Sequence, residues 1–152
     1  MFERLSVEET TRLELLAWRV RNELAAAGLP VVAPGMDPQL VGGAEVTIDR
    51  GADAAGGVYV GWSGSPRLRE CTSRALRLRR PDDPALLHSA RVADAMVRAL
   101  RTVLSSAGLT VEDANDTYRP RQLRVVSRPD PGAPPVWELR EEESASAGRE
   151  TG

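Results

Sequence analysis

The sequence predicts an α+β fold: a single domain whose antiparallel sheet, a hairpin plus one or two C-terminal strands, carries two main helices and a short helix on one face. Three observations lead to this reading. Two long stretches repeat apolar residues at helical spacing, each with its own start and stop signals. Two alternating segments flank a turn rich in Gly and Asp. Helical and strand-like stretches are also segregated along the chain, which argues against alternating β-α-β units.

The first helix opens at Ser6-Val7-Glu8-Glu9, a capping box in which Ser6 and Glu9 each satisfy the other's free backbone N–H. Leu13, Leu16, Ala17, Val20, Leu24 and Ala27 then form one apolar face, which Leu15 and Trp18 widen. Gly28 ends the helix as a left-handed residue, Leu29 folds back on the last turn and Pro30 blocks continuation. Residues 33–43 read as an irregular connection. Val46 and Ile48 alternate with Glu45, Thr47 and Asp49. Beyond the turn at 51–57, Val58, Val60 and Trp62 face one way and Tyr59 and Gly61 the other, which completes a hairpin.

Residues 66–80 admit two readings. Leu76 and Leu78 alternate with Arg77 and Arg79, as in a short strand. The helix is preferred: Ser65 is an N-cap, Pro66 suits the first helical position, and Leu68, Cys71, Ala75 and Leu78 share one arc. A long helix follows, capped by Asp83 and opened by Pro84. Ala90, Ala93, Val97, Leu100 and Leu104 line its core face, with Leu86, Met96 and Val103 beside them. Asp94 and Arg98 are spaced for an ion pair, and Gly108 is the stop. After a polar loop, Leu123 and Val125 mark a strand. A proline-rich turn at 128–135 leads to Val136-Trp137-Glu138-Leu139, read as a last edge strand. The domain is expected to span 1–140 and the acidic tail 141–152 to be disordered.

All twenty basic residues are arginine; lysine is absent, and there is one histidine, His88, and one cysteine, Cys71. Such usage is what a high-GC bacterial genome produces. Arginine then fills every surface role that lysine would share, so an individual arginine is not evidence of a ligand. The net charge of −2 gives no global signal for nucleic acid or anionic membrane. A lone cysteine forms no internal disulfide. Met1-Phe2-Glu3-Arg4-Leu5 opens a charged region, and no run reaches the roughly eighteen apolar residues of a membrane span, so a soluble cytoplasmic protein is expected. With few aromatics, Leu, Val and Ala must build the core, which implies modest stability.

Catalytic and metal-binding patterns fail on inspection. Gly61-Trp62-Ser63-Gly64 begins a nucleophile elbow, but Ser65 stands where the closing glycine belongs. Cys71 falls on the apolar arc of its helix, where cysteine acts as a small hydrophobe, and no acid is placed to orient His88. The stretch 113–117 spaces oxygen ligands like a calcium loop, yet Tyr118 replaces the loop's glycine and Arg124 its acidic last ligand. The Gly pairs at 42–43 and 56–57 lack the phosphate-loop lysine and the dinucleotide-binding spacing. No catalytic residue, cofactor or metal is therefore assigned.

One charge pattern stands out. Residues 66–80 carry six arginines against Glu70, five net positive charges, so the remainder of the chain must carry −7. On a helix, Arg69, Ser73, Arg77 and Arg80 share a face and can grip carboxylates or phosphates. The bland reading is a solvated face, or one neutralised by Glu141-Glu142-Glu143. Trp18 and Trp62 read as core filler, and Trp137, beside the proline-rich turn, as a partly exposed interface aromatic. The leading expectation is a small non-enzymatic module, of an adaptor, chaperone or immunity-accessory kind, that binds another protein through its sheet or its arginine-bearing helix. The alternative is a nucleic-acid-binding regulator using Arg69, Arg77 and Arg80; a second is a small-molecule enzyme with scattered carboxylates. Pairing across a two-fold axis through the hairpin edge or residues 136–139 leaves a homodimer open.

Overall fold

Helix α1 (Val7–Ala26) starts at the expected box: Glu9 donates its backbone N–H to Ser6 Oγ, and Glu9 Oε2 accepts the Ser6 N–H, both at 3.2 Å. The computed structural model describes residues 6–51, 57–114, 121–126 and 134–138. The other elements are α2 (Pro38–Val41), β1 (Gly43–Asp49), β2 (Gly57–Ser63), α3 (Pro66–Arg77), α4 (Pro84–Ser106), β3 (Thr110–Asp113) and β4 (Leu123–Val126). The architecture is α+β, with a four-stranded antiparallel sheet in the order β1-β2-β4-β3.

Helices α1 and α4 cover one face of the sheet, α3 packs on α4, and the one-turn α2 packs on α3. Leu16, Val20 and Leu24 of α1 meet Val46, Val58, Val60, Leu123 and Val125 of the sheet and Leu100 and Leu104 of α4 in a single core. Each fully buried Leu or Val side chain stabilises the fold by about 1.5–3 kcal/mol before entropy is counted.

Three helices end in the same way. Gly28 and Gly108 take positive φ after α1 and α4, and the residue beyond each bonds back to the helix, Leu29 to Leu24 O and Leu109 to Leu104 O. At the end of α3 the positive-φ residue is Arg79, with φ 52°, and Arg80 N–H bonds to Ala75 O at 2.9 Å. An arginine here sustains a backbone conformation that favours glycine.

Several expectations need correction. Within the expected irregular connection, Asp37 caps the one-turn α2 through Gln39 N–H. The polar loop after Gly108 holds β3, which has only Val111 to pack inward and so little alternation to reveal it. Val136–Glu138 forms a turn, not an edge strand, because Glu138 N–H bonds locally to Pro135 O and curls the backbone; Leu139 of the expected strand lies outside the described residues. The inward strip of α3 runs through half-buried Leu68 and Thr72 to buried Ala75, leaving Cys71 and Leu78 exposed: against α4 the helix covers a narrow i, i+4, i+7 strip. Trp18 is exposed, since α1 already fills the core with Leu16, Ala17 and Val20. Asp94 pairs at 3.0 Å with Arg121, brought in by the sheet, rather than with Arg98. The acidic tail 141–152 lies outside the described residues.

Both edge strands are blunted by arginine. Pro30–Val32 runs parallel to the start of β1, and Arg21 Nη2 donates to the outward Val46 carbonyl at 3.2 Å. Partial burial lowers the Arg21 pKa from its ordinary value. On the far edge, Arg101 of α4 donates to the outward Val111 carbonyl at 3.4 Å and pairs with Asp113. Edge carbonyls held by guanidinium groups are poor templates for a further strand.

Candidate binding site at the α3–α4 corner

Ser65 accepts the Leu68 N–H and Pro66 opens α3; Asp83 accepts the Ala85 N–H and Pro84 opens α4. Two capped helices, packed on each other, meet at a corner of six residues, 78–83. Between them lies a cleft of about 440 Å³, mostly polar, with Arg69, Thr72 and Ser73 on one wall, Ser89 and Ala93 on the other, and Trp62 at the sheet end.

Arg69 does not point to open solvent as the helical wheel implies. Its Nη2 donates to Ser63 Oγ at 2.5 Å, and that hydroxyl lies 3.4 Å from the Pro38 carbonyl. The buried Ser63 therefore anchors one end of the guanidinium, and the rest lines the cleft. Ser73 lines the same cleft, so these two of the four expected site residues come together. Arg77 lies in the last turn of α3 and Arg80 beyond the reversal at Arg79; both are exposed. The four form a track from the cleft to the corner, not one flat face.

Among the described residues, none of Arg67, Arg69, Arg74, Arg77, Arg79 and Arg80 is in an ion pair. Asp83 beside them is engaged as a helix cap. Leucines intersperse the arginines: Leu76 is 66% exposed, Leu78 48% and Leu87, one turn into α4, 56%. The surface thus joins unneutralised guanidinium groups with bare aliphatic side chains.

Other candidates separate. Ser63 is buried with Arg69 as its donor, while Cys71 and His88 are exposed on different helices. Among the described residues, no three His, Cys, Asp or Glu side chains are grouped to hold a metal, and no helix is long and apolar enough to cross a membrane. Asp113 pairs with Arg101, and the rest of the oxygen-rich stretch, 115–117, lies outside the described residues. Sequence reasoning missed Ser63 as the partner of Arg69, and Trp62 and Ser89 as lining of the same cleft, because only the tertiary fold brings the end of β2 and α4 beside α3. No protein-family model, curated protein or solved structure matches the chain.

Proposed function

We propose that this chain is a non-enzymatic protein-interaction module whose α3–α4 corner docks an acidic, partly apolar segment of a partner protein. The observation that carries the reading is that, among the described residues, the corner's arginines make no ion pair and stand beside exposed Leu76, Leu78 and Leu87. Arg69, held on Ser63 and lining the cleft, is pre-organised for a carboxylate, which loses less side-chain entropy on binding than a free arginine would. The leucines favour a protein over a phosphate backbone, which gains nothing from aliphatic contact.

The sheet is the weaker route to a partner. Both edges carry arginine-held carbonyls. On the face away from the helices, Thr47, Tyr59, Arg124 and Glu112 stand in one row; Tyr59 is buried, and Arg124 and Glu112 pair at 3.5 Å.

The test is co-purification from native-host lysate with the wild type and with a variant carrying Arg69→Ala, Arg77→Ala and Arg80→Ala, each with and without nuclease. A stoichiometric protein that survives nuclease and is lost in the variant supports the reading. Retention by the variant overturns it. So does nucleic acid whose digestion removes everything captured and whose binding falls steeply with salt, which would instead establish the arginine track as a phosphate contact.

A further inference from the structure

Arg19 and Glu23 stand one turn apart on α1, and both are buried, at 4% and 3% exposure. Arg19 Nε lies 3.4 Å from Glu23 Oε1 without hydrogen-bond geometry, and among the described residues Arg19 Nε and Nη2 and Glu23 Oε1 have no hydrogen-bond partner. Burying two charges costs several kcal/mol per ion, and a well-packed apolar pair in their place is often neutral or stabilising. Stability alone therefore gives poor reason for these residues.

Glu23 Oε2 accepts a hydrogen bond at 2.6 Å, and the donor is the indole Nε1–H of Trp137, from the far end of the chain. The ring forms one wall of an open groove of about 460 Å³ between the C-terminal ends of α1 and α4, whose other walls include the small side chains of Ala26, Ala27, Ser106 and Ala107 together with Val103. Trp137 is nonetheless 59% exposed, and its neighbour Val136 lies over the bare backbone of Gly108, 3.3 Å from where a Cβ would stand. An indole that open belongs to no core; it is held at the groove by its hydrogen bond to Glu23.

We propose that this groove is a recognition site for a tryptophan-bearing segment of a partner protein, with Glu23 as acceptor of the indole N–H and the chain's own Trp137 as its exchangeable occupant. The chemistry selects the ligand. A carboxylate oxygen turned to the groove needs a donor, which excludes a purely apolar side chain. Arg19 already neutralises Glu23, so a second cation would meet a guanidinium at close range, and a neutral N–H on a flat ring fits better. The small groove side chains leave room for the ring. This inference is independent of the α3–α4 corner.

The experiment titrates an acetylated, amidated peptide of residues 134–138 into full-length Trp137→Ala and wild-type protein, following backbone amide resonances of Ala26, Ala27 and Ala107. The variant is expected to give a saturable shift. The wild type should bind at least about tenfold more weakly, because its tethered segment competes at millimolar effective concentration. A peptide with N-methylated indole should bind the variant about tenfold more weakly for want of the charge-assisted hydrogen bond. Trp137→Phe, which keeps a ring without the donor, serves as the second acceptor should Trp137→Ala lose its dispersed spectrum. No saturable shift, equal binding by wild type and variant, or indifference to N-methylation would each overturn the proposal.

Discussion

Two regions of this molecule use arginine in opposite ways. Within the α1–sheet–α4 layer, Arg19 is buried against Glu23, and Arg21 and Arg101 each hold an edge-strand carbonyl. At the α3–α4 corner, Arg74, Arg77, Arg79 and Arg80 are exposed and, among the described residues, make no ion pair. In a chain without lysine, the number of arginines says nothing about function. What separates the two groups is whether the fold itself supplies the acceptor: where it does, arginine is architecture, and where it does not, the guanidinium is solvated and, in the function proposed above, left for a partner.

The comparison would be sharpened most by Arg19→Ala. It leaves Glu23 charged, buried and without a counter-ion, which costs about 3–5 kcal/mol for such a site, against total stabilities of about 5–15 kcal/mol for domains generally. Urea unfolding should show a large fall in midpoint at an unchanged slope. The double variant Arg19→Met, Glu23→Leu should recover most of that loss. If Arg19→Ala unfolds at the wild-type midpoint, Arg19 is not architectural and the division between the regions fails.

Next in size is the blunting of the sheet edge. Arg101→Ala removes the bond to the Val111 carbonyl and the pair with the largely exposed Asp113. A loss of about 1 kcal/mol is expected, most of it from the carbonyl. The more telling readout is association: with one edge carbonyl freed, light scattering at high concentration should detect more self-association than in the wild type. A monodisperse variant would mean that Arg101 does not guard the edge.

How far these roles were legible beforehand follows the range of the interactions. The caps at Ser6, Ser65 and Asp83 and the stops at Gly28 and Gly108 were readable because they are made by neighbours in sequence. The hairpin was readable because alternation and turn lie together. Strand β3 was not, since a four-residue strand with one inward Val111 carries no period to detect. At the site, the charge of 66–80 was plain, yet the inward turn of Arg69 was not, because Ser63 reaches it from the sheet. The Trp137–Glu23 bond spans 114 residues and leaves no local trace at all.

The third test acts on the corner's backbone. Arg79 holds φ 52° where the matching positions after α1 and α4 are glycine. Arg79→Gly removes that strain, of the order of 1 kcal/mol, and adds unfolded-state entropy that offsets part of it. A net gain of about 0.5 kcal/mol is expected by thermal or urea unfolding. A loss would show that the Arg79 side chain contributes packing which its exposure does not suggest.

The smallest stability effect belongs to the residues assigned the largest functional one. Arg77→Ala with Arg80→Ala should change unfolding free energy by no more than about 0.5 kcal/mol, the part from Arg77 being its favourable place near the helix C-terminus. A side chain that the fold does not use can be removed without the fold responding. If the pair instead proves strongly destabilising, the fold does supply their acceptor, and Arg77 and Arg80 belong with Arg19 as architecture. If stability holds while capture of a nuclease-resistant partner is lost, the corner's arginines are defined by a molecule outside the chain.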